Sequence, residues 1–70
     1  MNAPADNFIK LDQFLKRQGL AQSGGEAKFF ITSGDVTVNG EVETRRGRKL
    51  RNGDVVEFAD QACTVDLEAL

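Results

Sequence analysis

Five cations stand among seven consecutive residues, Arg45-Arg46-Gly47-Arg48-Lys49-Leu50-Arg51, with no acid between them. Four of the five are Arg, whose planar guanidinium can grip a phosphate through two parallel hydrogen bonds. Concentrating positive charge in this way costs self-repulsion, and a negatively charged ligand is the natural compensation. Lys10, at the entry to the first helix, and Lys28, in the second, are the isolated cations that a compact fold could add to the same surface. The competing reading of these residues is a solvated basic loop with surface lysines, which needs no ligand.

The whole-chain balance hides this feature. The 70 residues carry a net charge of −2 and a pI near 4.9, which by itself argues against a polyanionic partner. The charges are partitioned, however. Residues 10 to 53 hold all nine Lys and Arg against five acids, whereas residues 54 to 70 hold five acids and no base.

Other chemistries are poorly served. With no His, Tyr or Trp and a single Cys, neither a Ser-His-Asp nor a Cys-His constellation can be assembled, and the expectation is a chain without catalytic residues. The same shortage excludes a disulfide framework and a Cys/His zinc site, and the carboxylates lack the spacing of a calcium loop. No cofactor, metal or small-molecule substrate is expected. Ser23-Gly24-Gly25-Glu26-Ala27-Lys28 suggests a phosphate-binding loop, but it lacks the Gly-Lys-Ser/Thr ending and a preceding apolar strand. It is better explained as a helix start, whose Gly24 and Gly25 amides could at most touch a backbone phosphate.

A chain this short is read as one domain with a thin core that must hold together by packing alone. Residues 1 to 7 are expected to be a flexible tail, residues 8 to 65 the folded domain, and residues 66 to 70 a frayed acidic tail. Phe8-Ile9 begins order as a short strand or a helix lead-in. Leu11, Phe14 and Leu15 then lie at i, i+3 and i+4, one face of a helix that ends at Gly19 with Lys16 and Arg17 in its last turn. Ser23 and Glu26 form a capping pair for a second helix, whose apolar face is Ala27, Phe30 and Ile31 and whose end is Gly34. Phe29 falls off that stripe and is expected to pack under a neighbouring loop rather than to stack on a base.

Alternation in Val36-Thr37-Val38, the Asn39-Gly40 turn signal and Glu41 to Thr44 make a hairpin. A two-residue loop would set Val36 opposite Glu43 on one face, so a three-residue loop pairing Val38 with Val42 is expected. Asn52-Gly53-Asp54 leads into a strand at Val55-Val56-Glu57-Phe58, and Asp60-Gln61 turns into another at Ala62 to Val65, with Cys63 half-buried or buried there. The predicted class is α+β: two short helices forming a corner, packed on a small antiparallel sheet of three to four strands.

Lys10-Leu11-Asp12, Leu15, Gly19-Leu20-Ala21, Ser23, Glu26-Ala27-Lys28, Ile31, Gly34, Val36, Val38-Asn39-Gly40, Arg45 and Gly53-Asp54 together resemble a known family. It is the RNA-binding domain named after small-subunit ribosomal protein four, the alpha-L RNA-binding motif, in the form of its short stand-alone bacterial members. The likeness covers roughly residues 8 to 58. It implies that the helical corner and the hairpin share one surface facing structured RNA, ribosomal or tRNA-like, and it carries RNA contact onto Lys10, Lys28, Arg45 and Arg46. Arg48, Lys49 and Arg51 join the expected site on charge. Lys10 stands where the family usually has arginine, and Gly24 or Gly25 where it often has a basic residue.

The function expected is a non-catalytic module that positions itself on folded RNA by shape and phosphate contacts, as a cytoplasmic, ribosome-associated monomer with no membrane partner. The alternative is a protein-interaction adaptor whose basic loop docks on an acidic partner.

Overall fold

The computed structural model describes residues 7–70. The flexible tail expected over residues 1 to 7 therefore lies, except for Asn7, outside the described residues. Two helices and six strands follow in the order β1 (Ile9–Lys10), α1 (Leu11–Arg17), α2 (Gly24–Thr32), β2 (Thr37–Val38), β3 (Glu41–Val42), β4 (Lys49–Leu50), β5 (Val55–Phe58) and β6 (Gln61–Thr64). All pairings are antiparallel. β3-β2-β5-β6 form a four-stranded sheet, and β1 and β4 form a separate two-stranded ribbon. The α+β class and the helical corner on a small antiparallel sheet are as the sequence predicts. The ribbon is an addition, and it resolves Phe8-Ile9 in favour of a strand start.

Both helices end as their glycines require. Gly19 adopts φ 76° and Gly34 φ 84°, a left-handed backbone that other residues enter at a cost. At each end the glycine N–H and the next N–H fold back on carbonyls of the last turn: Gly19 and Leu20 donate to Lys16 and Leu15, Gly34 and Asp35 to Ile31 and Phe30. At the start of α2 the Ser23 hydroxyl accepts from the Glu26 N–H at 3.0 Å, while the Glu26 carboxylate accepts from the Gln22 N–H at 2.8 Å. The carboxylate thus serves the residue before the cap rather than the cap itself. Ser23→Ala is expected to cost about 1 kcal/mol, read as a lowered midpoint in a urea melt, and an unchanged midpoint would show the cap to be idle.

The helices bury Leu11, Phe14, Leu15, Ala27 and Ile31 against Val36, Val38, Leu50, Val56 and Val65. Phe30, off the fully buried set, stacks on Phe58 with ring centroids 4.5 Å apart. Cys63 is half-buried in β6 opposite Val56.

Three expectations are corrected. The hairpin has a two-residue loop, pairing Val38 with Glu41 and Thr37 with Val42. Asn39 (φ 54°) and Gly40 (φ 86°) are both left-handed, the geometry whose twist matches the flanking strands, so the turn sets the register. Val42 is consequently 61% exposed, and Glu43 takes the inward place opposite Val36. Phe29 does not pack under a loop: it is 64% exposed, and its ring lies in an edge-to-face arrangement with Phe30, 6.1 Å between centroids. Residues 66 to 70 are not frayed. Leu67–Ala69 form a 3-10 turn whose start is capped by the Asp66 carboxylate, the Leu67 N–H donates to the Asn52 side-chain oxygen, and Leu67 and Leu70 pack on the core. The two leucines gain from burial what an all-polar tail would not.

Candidate nucleic-acid interface

The basic segment is built around an acid. Glu43 enters the inner face because the tight hairpin turn leaves it there, and a carboxylate only 6% exposed must be paired. Arg45 answers with a two-pronged grip, Nε to Oε2 and Nη2 to Oε1, both at 2.9 Å, and its own backbone N–H donates to Oε2. Arg48 Nη1 donates to Oε1 at 3.0 Å. The hydrogen bonds from Arg45 dominate and hold the Glu43 carboxyl down at about 2, against the smaller opposing effect of burial. One acid thus folds the loop after β3 back on itself and cancels one of the loop's positive charges.

The folded loop then caps a helix. At the start of α1, where N–H groups lack partners within the helix, Leu11 N–H donates to the Arg48 carbonyl at 2.8 Å and Asp12 N–H to the Arg46 carbonyl at 3.0 Å. Lys10 offers no side-chain cap, so the loop backbone supplies it. Immediately before the helix, β1 pairs with β4 so that Ile9 faces Leu50 and Lys10 faces Lys49. Directly opposed residues of an antiparallel pair project to the same side, roughly 5 Å apart at Cβ, and like charges there repel. Both lysines are exposed.

The remaining cations divide. Arg46 is exposed, and its carbonyl serves α1. Arg51 donates through Nη1 to the Asn7 carbonyl at 3.0 Å, and its guanidinium lies 5.7 Å from the centre of the Phe8 ring, with Lys49 Nζ at 4.8 Å. Lys28 is exposed on α2, which packs against α1, but no hydrogen bond or ion pair ties it to the loop among the described residues. The structure therefore gathers Lys10, Arg45, Arg46, Arg48, Lys49 and Arg51 around one loop, and leaves Lys28 on the neighbouring helix.

A second tie fixes the far end of the loop. The Asn39 side chain donates to Asp54 Oδ1 at 3.1 Å and accepts from the Val55 N–H at 2.9 Å, while Asp54 Oδ2 accepts from the Arg51 N–H at 2.9 Å. Burial alone would raise the Asp54 carboxyl, but the hydrogen bonds from Arg51 and Asn39 together with the nearby charges of Arg48 and Arg51 outweigh it and leave it below its ordinary range. This contact explains in physical terms why Val38-Asn39-Gly40 and Gly53-Asp54 occur together: one carries the amide, the other the carboxylate that it holds.

Residues 3–66 match the model of the S4 domain. The chain belongs to the S4 domain family. A protein of Bacillus subtilis strain 168 named "Probable ribosome maturation protein RlbA" is 57% identical over 51 residues, covering 73% of this chain and 72% of that protein. An Escherichia coli K12 protein named "Putative RNA-binding protein YbcJ" is 40% identical over 57 residues, covering 81% of each. The S4 domain match takes in α1, α2, the hairpin and the basic loop, the parts that build the surface described above.

Glu43 is the functional-site residue that sequence reasoning missed. Its signal was present in the spacing of an acid two and five residues ahead of Arg45 and Arg48, but it pointed inward only once the hairpin register was known. Among the described residues no group of His, Cys, Asp and Glu could hold a metal ion, and no helix is long and apolar enough to cross a membrane.

Proposed function

We propose that this S4 domain is a non-catalytic module that binds structured RNA, with ribosomal RNA as its target, through phosphate contacts from Lys10, Arg45, Arg46, Arg48, Lys49 and Arg51, assisted by Lys28. The observation that carries the reading is the Lys10–Lys49 pair. Two exposed lysines at directly opposed positions of an antiparallel pair bring like charges onto one side of the ribbon, and an anion bound there offsets their repulsion. The arginines held on Glu43 keep donors over: Arg45 uses Nε and Nη2 on the carboxylate, which leaves Nη1. Recognition is by shape and backbone, because a surface of this size with few exposed aromatics positions itself on phosphates more readily than it reads bases. The names of the Bacillus and Escherichia relatives support RNA and ribosome maturation as the setting. The absence of His and the single Cys support a binding role over a catalytic one.

The test is an amide-shift NMR titration with a folded ribosomal RNA fragment and with duplex DNA of equal length, each at two salt concentrations. RNA is expected to move Lys10 and residues 45 to 51 selectively and in a salt-dependent way. Lys49→Glu is expected to weaken RNA binding about tenfold or more, the worth of one charge-assisted hydrogen bond. If neither nucleic acid moves these residues, and an acidic protein is instead captured stoichiometrically after nuclease treatment, the adaptor reading replaces this one.

A further inference from the structure

We infer that the groove between α1 and the C-terminal 3-10 turn receives a single unpaired nucleotide of the bound RNA, with its base against Phe8 and its phosphate on Lys16 and Arg17. The inference rests on the RNA-binding reading above and adds a site to it. The groove has a volume of about 710 Å³ and is lined by Phe8, Gln13, Lys16, Arg17, Leu67 and Leu70, among others. That volume lies within the usual range of clefts for small ligands, roughly 300–1,000 Å³. It is large enough for one extruded nucleotide.

Three features of the lining select this occupant. Lys16 and Arg17 are exposed cations that make no ion pair among the described residues, unlike Arg45 and Arg48, whose charge is shared with Glu43. Their position in the last turn of α1 is favourable toward the helix dipole, but that accounts only for their charge and not for the apolar floor beside them. Phe8 is 38% exposed, and every base has a π-face that an aromatic ring can stack on. Gln13 adds an amide able both to donate to and to accept from a base edge.

Continuity with the phosphate-binding loop is direct. Lys49 Nζ and the Arg51 guanidinium lie 4.8 and 5.7 Å from the centre of the same Phe8 ring that borders the groove. A strand of RNA crossing the Lys10–Lys49 ribbon therefore reaches the groove without leaving the cationic surface. Unpaired nucleotides are where folded RNA departs from a uniform A-form helix, and capturing one converts shape recognition into a choice among RNAs.

The test compares two RNA hairpins with the same stem, one uninterrupted and one carrying a single bulged nucleotide, by equilibrium binding to the full chain. The native protein is expected to prefer the bulged hairpin by about tenfold, the scale of one base–aromatic stack. Phe8→Leu keeps an apolar side chain at the groove, and folding is checked by the dispersion of its amide spectrum. It is expected to bring the ratio of the two affinities close to one. Lys16→Gln with Arg17→Gln is expected to flatten the salt dependence on the bulged hairpin more than on the uninterrupted one. Equal affinity of the native protein for both hairpins, or a preference that survives Phe8→Leu, would overturn the nucleotide site while leaving salt-dependent stem binding, and with it the RNA-binding reading, intact. A lack of salt-dependent binding to either hairpin would overturn both.

Discussion

Raising monovalent salt from 50 to 200 mM is expected to weaken binding to folded RNA by roughly 60- to 1,000-fold. The estimate follows from counterion release. The loop and its neighbours offer seven cations, Lys10, Lys28, Arg45, Arg46, Arg48, Lys49 and Arg51, and Glu43 cancels one of them where it is gripped. If about four to six phosphates are neutralised, log affinity falls with log salt at a slope of roughly −3 to −5. Arg46→Gln removes a cation that Glu43 does not hold, so it is expected to flatten the slope by about one unit while leaving the melting temperature near that of the native protein. A slope near zero would mean that charge is not what holds the RNA, and the interface would have to be sought away from the basic loop.

Glu43→Gln is expected to destabilise the fold by about 2 kcal/mol at pH 7, and the deficit is expected to vanish in acid. The native carboxyl sits at about 2 against an ordinary value of 4.5, so its pairing with Arg45 and Arg48 stabilises the folded state fully above pH 4.5. That stabilisation is lost as pH falls from 4.5 through about 2, where the folded-state carboxyl itself takes up a proton. The full shift would correspond to about 3 kcal/mol, and the lower figure allows for solvent screening of Arg45, whose side chain is 74% exposed. Urea melts of the native and Gln proteins at pH 7, 4.5, 3 and 2 should therefore converge toward the acid end. A gap that stays constant with pH would assign the loss to packing instead of charge.

The same substitution reaches the interface, because the carbonyls of Arg46 and Arg48 that cap α1 belong to the loop that Glu43 folds. Glu43→Gln should lower the protection of the Leu11 and Asp12 amides against hydrogen exchange. The acid at the centre of the basic loop is best understood as a positioning residue. It uses one unit of negative charge to hold two arginines, and through their backbone the first turn of α1, in a single arrangement.

How much of this could be seen beforehand depended on how far apart the interacting groups lie along the chain. The helices were legible because their determinants are local. Apolar residues at i, i+3 and i+4 define the buried faces, and the groups that start and stop each helix, Ser23 with Glu26, Gly19 and Gly34, bond within about five residues of themselves. The concentration of cations at 45 to 51 was legible for the same reason, as was the Asn39-Gly40 turn. Its loop length was misjudged because an inward Glu opposite Val36 looked unfavourable until Arg45 and Arg48 were seen to neutralise it. Phe29 was placed under a loop on hydrophobicity alone, whereas helix geometry turns it outward once Ala27 and Ile31 occupy the core.

By itself, then, the amino-acid sequence determined the two capped helices, the strand-rich second half, the S4 likeness and the residues that carry positive charge, because propensity, capping and turn chemistry act over a few positions. Tertiary structure alone decided the rest: that Lys10 faces Lys49, that Glu43 lies buried between two arginines, that Asn39 holds Asp54, and that Leu67 and Leu70 close a groove beside Phe8. Each of those is a pairing whose partner is chosen by strand register or by packing of segments remote in sequence. A one-residue slip in register would turn the same side chains to the opposite face.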